Sequence, residues 1–214
     1  TDMASEMLYP VTPIFLTTVL GSSMALVGVI EGIAEVTAGL LKGYFGNLSD
    51  KVGKRSVFVM IGYSISAIAK PLPGIFQNIP TVLFSRVSDR IGKGVRTAPR
   101  DALLASYSDG NSGAVFGFHR AMDTLGAAIG PVVALILLNI YPNNFQLIFL
   151  VAFVPSAIAV LLTILVKDKQ NPTNLKSEKN YLSFWKSAPT EYKKILILIT
   201  TFSFVNSSDV FLIL

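Results

Sequence analysis

The chain has 214 residues, of which 51% are hydrophobic and 14% charged, whereas a soluble domain carries about 25% charged residues. That deficit, with apolar stretches recurring at about 20 residues, excludes an ordinary soluble enzyme and predicts an all-α protein crossing a membrane several times. Cysteine is absent and His119 is the single histidine, so no disulfide framework, thiolate site or His-rich metal centre is available.

Spans are expected at 1–21, 24–45, 56–77, 79–97, 114–138, 145–166 and from 195 onward. They exceed the roughly 9–11-residue strands of a membrane barrel and lack dyad alternation. The first carries Asp2 and Glu6, then Pro10 and Pro13; the second carries Glu31 and Glu35, one turn apart and so on one face. Between the second and third spans lies the polar run Gly46–Arg55, GNLSDKVGKR, expected as a short turn. The third span holds Lys70 beside Pro71 and Pro73, and the fourth packs Arg86, Asp89, Arg90 and Lys93 into one helix. Arg86 and Arg90 share a face. The fifth holds Asp123 and the run Gly126 to Pro131, GAAIGP; the sixth holds Pro155. Each proline removes a helical hydrogen bond and permits a kink, which membranes tolerate where neighbours re-satisfy the backbone.

Residues 167–194 are polar and lysine-rich, with Trp185 and Tyr192 suited to a membrane interface. They divide the chain into a bundle (1–166), a linker (167–194) and the start of a second bundle (195–214). Both ends fall in apolar runs, so a piece of a longer chain is expected, with no cleavable leader in it. Lys51, Lys54 and Arg55 occupy the 2–3 loop, Arg96 and Arg100 flank the 4–5 loop, and seven lysines fall between 167 and 194. The loops around Gly21–Ser23, Asn78 and Asn139–Asn144 have no Lys or Arg. By the positive-inside rule, loops 2–3, 4–5 and 6–7 are cytoplasmic. The net charge of +5 then needs no nucleic acid to explain it.

GNLSDKVGKR matches the pattern G-x-L-[SA]-D-[RK]-x-G-[RK]-[RK] at every specified position. It resembles the signature loop between the second and third helices of the major facilitator superfamily of secondary transporters. GAAIGP resembles that superfamily's fifth-helix GxxxGP motif of exporters, although small-xxx-small patterns also serve plain helix packing. The fourth span departs from the superfamily's R-x-x-Q-G-x-G: Arg86 and Gly92 fit, but Asp89 replaces the Gln and Arg90 a Gly. The motif arginine's proton-coupling role therefore does not transfer simply. The run Asp89–Leu103, DRIGKGVRTAPRDAL, resembles a prokaryotic branch of the superfamily. The resemblance implies an amino-terminal six-helix bundle of 3+3 repeats plus the start of helix 7, a fragment of a twelve-helix transporter. It passes the closure role of the signature loop to Gly46, Asp50, Gly53, Lys54 and Arg55, and the packing or hinge role to Gly126, Gly130 and Pro131. Asn206 to Asp209 in the seventh span echo Asp2 to Glu6 in the first, as parallel repeats would.

Ionisable residues within spans cost about 2.5–3.5 kcal/mol near a helix centre and persist when paired or lining a polar cavity. Six acids (Asp2, Glu6, Glu31, Glu35, Asp89, Asp123) face five bases (Lys70, Arg86, Arg90, Lys93, Arg120). At about 1.5 Å rise per residue, Glu35 and Arg90 each fall roughly 16 Å from the outer face, near the midplane. Matching depth and face predict a carboxylate–guanidinium network between helices 2 and 4. By resemblance, helices 1 and 5 line the central cavity beside helix 4. Glu6 and Asp123 are the first choices for proton or cation handling, and Arg90 for an anionic substrate group. His119, beside Arg120, reads as a loop or headgroup contact before a relay.

The function expected is secondary active transport of a small organic solute by alternating access, coupled to protons and leaning towards export. Alternatives are uncoupled facilitated diffusion of a metabolite or organic anion, or a membrane enzyme or receptor. No acid–base pair with a nucleophile and no Walker-type GxxxxGK[ST] loop is present, so no enzyme is expected. The expected partners are the solute, protons and the bilayer of the cell membrane. No cofactor, metal or nucleic acid is expected, and the protein is read as a monomer.

Overall fold

Two prolines set the shape of the first span. In the computed structural model, α1 (Asp2–Leu8) stops before Pro10, which starts the short α2 (Val11–Ile14). A π-helical turn, Phe15–Val19, follows. Thr17 and Thr18 donate to the carbonyls of Pro13 and Ile14 and take up acceptors of the widened turn. The structure describes residues 1–169 and 187–205, and every element among them is a helix. Residues 170–186, with Lys176, Lys179, Trp185 and Lys186, and the cluster Asn206–Asp209 lie outside the described residues.

α3 (Met24–Val52) begins at Ser23, whose side chain accepts from the Leu26 N–H at 3.3 Å. It ends at Gly53 with φ 69°, the left-handed conformation that glycine adopts without steric cost. Its 29 residues reach about 43 Å, beyond the roughly 30 Å hydrocarbon core. Most of GNLSDKVGKR is therefore helical, and the expected turn shrinks to Gly53 and Lys54. The helix continues past the apolar run because nothing in NLSDKV stops it before that glycine.

α4 (Arg55–Ala69) and α5 (Leu72–Ile75) form one span broken at Lys70 and Pro71. α6 (Ile79–Ser106) opens on Asn78, whose side chain accepts from the Thr81 N–H at 2.8 Å. α7 (Ser112–Ile140) contains Pro131. α8 (Phe145–Val151) and α9 (Phe153–Ile164) make the sixth span, interrupted at Ala152 ahead of Pro155. α10 (Thr190–Val205) belongs to a second compact unit, Pro172–Leu214, separate from Thr1–Asn171.

Four of the seven expected spans are long and apolar enough to cross a membrane on those terms: α3, α4 with α5, α7, and α8 with α9. The other three fall short for different reasons. The first is cut by its prolines, and the seventh runs past Val205, beyond the described residues. α6 is 28 residues long but carries too much charge.

In the first unit, α6 packs most extensively, against α3 on one side and α4 on the other, while α1 lies along α7. Small residues permit these crossings. A Cβ on Gly92 would collide with Ser66 Oγ and sit 2.5 Å from the Gly62 carbonyl, and one on Gly94 would sit 2.8 Å from Leu41 Cβ. Phe15, Phe145 and Phe149 close one end, with ring centroids 5.3 and 5.9 Å apart around Phe15. Apolar side chains of α7 and α9, among them Leu135, Leu161 and Ile164, are exposed, as suits a surface bathed by lipid.

Candidate functional site: a charged helix and the cavity beside it

α6 presents charge in two directions. Towards α3, Arg86 donates from Nε and Nη2 to the two Glu31 oxygens, both at 2.6 Å. One turn on, Arg90 meets Glu35 at 2.8 Å. Each pair keeps the i,i+4 spacing of its helix, so the two rungs lie in register. Towards α4, Asp89 accepts from Lys70 Nζ at 2.6 Å, and both side chains are at least nine-tenths buried. Ser66 adds a bond to the Asp89 carbonyl at 3.2 Å. Charges this deep persist because each has its opposite within hydrogen-bonding distance. Only the Arg90–Glu35 rung is half open, with Glu35 56% exposed.

A polar cavity of about 380 Å³ lies where α1, α3, α6 and α7 meet. Its acids are Asp2 and Glu6 from α1 and Asp123 from α7; its bases are Lys93, Arg96 and Arg100 from α6, Lys42 from α3 and Arg120 from α7. Arg96 is buried, its guanidinium 4.5 Å from the Tyr63 ring centroid in a cation–π contact. Its Nη2 is 3.9 Å from Asp2, and its Nε has no hydrogen-bond partner. Asp2 and Asp123 face the cavity from α1 and α7, and His119 Nδ1 lies 3.3 Å from Asp123. Arg100 donates to Asp101 from Nε at 3.2 Å and Nη2 at 3.1 Å.

Of the residues singled out from sequence, Asp2, Glu6 and Asp123 are thus brought together around the cavity. Glu31, Glu35, Arg86, Asp89 and Arg90 are joined in ion pairs, and none of these five lines it. Sequence reading did not find the partner of Lys70, nor did it give Lys42, Arg96 and Arg100 a place in a site. In the sequence Arg96 and Arg100 flank the 4–5 loop; the available signal is their spacing, which continues the face of Lys93 at i+3 and i+7.

At the end of the bundle near the Gly53 turn, Asp50 accepts from Arg55 Nη2 at 2.8 Å and Nε at 3.1 Å. A Cβ on Gly46 would sit 3.0 Å from Ala98 Cβ, so α3 and α6 touch closely there. The Lys54 side chain makes no capping bond. The N-terminus of α4 is capped by Asp168, which accepts from the Ser56 N–H at 2.9 Å and hydroxyl at 2.6 Å. Lys169 pairs with Asp109 at 2.7 Å, and the Tyr107 hydroxyl donates to the Lys167 carbonyl at 2.8 Å. Residues 167–169 are therefore stapled beside the signature run. In α7, a Cβ on Gly130 would lie 2.5 Å from the Met3 carbonyl oxygen and 2.8 Å from the Met7 nitrogen, and one on Gly126 3.2 Å from the Met3 nitrogen. The glycine pair seats α7 on the backbone of α1. Pro131 follows within α7.

The chain is 36% identical over its whole length to an uncharacterized MFS-type transporter of Methanocaldococcus jannaschii, of which it spans 53%. Over 67% of its length it is 31% identical to an uncharacterized protein of Mycobacterium tuberculosis, covering 35% of that chain. Over 72% of its length it is 29% identical to a probable 4-methylmuconolactone transporter of Cupriavidus pinatubonensis, covering 36% of that chain. The chain thus spans about half the length of the first relative and about a third of the others. The model of the Major Facilitator Superfamily matches residues 1–214. With membrane-length helices, the signature run at the α3–α4 junction and this match along all its length, the chain belongs to the Major Facilitator Superfamily.

Proposed function

We propose that this chain is the amino-terminal part of a proton-coupled secondary transporter that moves a small organic solute by alternating access. The observation that carries the reading is the cavity between α1, α3, α6 and α7, where three carboxyls and five bases meet inside a bundle of membrane-length helices. Intramembrane charge of this kind marks substrate and proton pathways. Asp2, Glu6 and Asp123 supply groups that can take up and release a proton. The relative named for 4-methylmuconolactone supports a small organic cargo, and the GAAIGP run of α7 leans the direction towards export. The protein works as a monomer in the cell membrane, with the Gly53 turn, the 4–5 loop and the 6–7 linker on the cytoplasmic side. The run from Gly46 to Arg55 acts as the clamp between its halves, held by the Asp50–Arg55 pair.

Solute flux into proteoliposomes of the full-length protein, with and without an imposed pH gradient, tests this. The expected result is accumulation only with the gradient. Flux indifferent to the gradient would leave uncoupled facilitation and remove the proton.

A further inference from the structure

The end of the bundle away from the Gly53 turn holds a second cavity, of about 250 Å³. It lies where the π-helical turn, the connection from α5 to α6 and the start of α8 meet, and it shares no lining residue with the charged one. Phe15, Val19 and Phe145 give it apolar walls, and the side-chain amides of Gln77, Asn143, Asn144 and Gln146 give it its polar groups. None of its lining residues is charged. Its frame is fixed by close packing. A Cβ on Gly74 would sit 2.9 Å from both the Gln146 carbonyl oxygen and Phe149 Cβ, so α5 and α8 touch backbone to backbone, and Phe15 meets Phe145 and Phe149 across the floor.

The amides at this end divide by use. Asn78 and Asn144 each accept a backbone N–H, at 2.8 and 3.1 Å, and so cap α6 and α8. Gln77, Asn143 and Gln146 make no side-chain hydrogen bond to the described residues, yet all three converge on the cavity. An ion entering here would shed water with no opposite charge to meet it, which is costly. An amide presents a donor and an acceptor together, and a hydroxyl presents the same two functions in return. Pockets for drug-sized ligands run from about 300 Å³ upward, so this one has room for a single small ring.

We propose that this second cavity binds a neutral polyhydroxylated solute of single-ring size, a cyclic polyol or monosaccharide, through the amides of Gln77, Asn143 and Gln146. The site is separate from the charged cavity and does not depend on that cavity's part in transport. Its occupant bridges segments from the first span, the α5–α6 connection and the sixth span. A ligand that joins them binds the folded bundle alone and stabilises it by mass action.

The test is binding of myo-inositol and glucose to the full-length protein in nanodiscs, followed by calorimetry and by the melting temperature. Benzoate, tetraethylammonium and N-methylacetamide serve as the anionic, cationic and amide comparisons. At least one of the two polyols is expected to bind saturably and to raise the melting temperature as its concentration rises. Gln77→Leu and Gln146→Leu are each expected to weaken that binding by about two- to tenfold, as the loss of one hydrogen bond does. Asn143 has φ 63°, a conformation that glycine holds without steric cost. Asn143→Gly therefore removes the amide and keeps the turn, and should weaken binding by a similar factor with the unliganded melting temperature close to the parent's. Val19→Trp, which fills the cavity, should abolish binding. The proposal is overturned if neither polyol binds, if one of the comparison solutes binds in their place, or if Asn143→Gly and Val19→Trp bind as the parent does.

Discussion

Lys70 and Asp89 show what a single buried residue does here. The ammonium and carboxylate meet at 2.6 Å with 2% and 9% of their side chains exposed. Removing one partner strands the other charge, which costs about 3–5 kcal/mol, whereas replacing both with apolar groups of similar volume is often neutral. Lys70→Met and Asp89→Leu are each expected to lower the melting temperature of the full-length protein sharply, and the double variant to recover most of the loss. A double variant as unstable as the sum of the two would show that the pair does not act as a unit. At this scale the sequence was informative about depth and less so about partners. Glu31, Glu35, Arg86 and Arg90 were matched across two helices because both pairs repeat at four residues. Lys70 has no such repeat, and which way Asp89 turns from α6 depends on how α4 docks.

At the scale of elements, the glycines of α7 divide by what they touch. A Cβ on Gly130 would meet the Met3 and Met7 backbone, while one on Gly117 would meet nothing within 4 Å. Gly130→Ala must push α1 aside and is expected to cost about 1–3 kcal/mol, as overpacking does. Gly117→Ala gains helix propensity of about 0.8–1 kcal/mol. Opposite shifts in thermal unfolding of the full-length protein are the expected result; equal shifts would remove the α1–α7 contact from the account. Helix existence and order were legible from the apolar runs, and so were the prolines as interruptions. The ends were not, because hydropathy reports where lipid stops and a helix stops at its cap. α3 runs on to Gly53 for that reason. The N-terminus of α4 is capped by Asp168, 112 residues downstream of Ser56. No local pattern announces a contact that distant.

Across the whole molecule, the features that identify the family and those that hold the candidate site are different residues. The signature run lies at the α3–α4 junction, and none of its residues lines the cavity, to which α6 contributes Lys93, Arg96 and Arg100. Family and fold were legible from motif and hydropathy together. The cavity was half legible: its acids stood out as charges in apolar helices, but Arg96 and Arg100 read as flanking the 4–5 loop, whereas α6 continues to Ser106.

The charge on α6 also bears on how the protein is made. Its sequence carries Arg86, Asp89, Arg90, Lys93, Arg96, Arg100 and Asp101, and near the middle of an isolated span each such residue opposes insertion by about 2.5–3.5 kcal/mol. Glu31, Glu35 and Lys70 are synthesised earlier, so α3 and α4 are in place to receive the helix that neutralises them. In a glycosylation-mapping assay, α6 behind an unrelated host span is expected to stay out of the bilayer. Behind α3 and α4 it should enter, and Glu31→Gln with Lys70→Met should reduce that entry. Equal insertion in both settings would mean that α6 needs no help. The order of synthesis thus makes the first helices a docking platform for a span too charged to cross on its own.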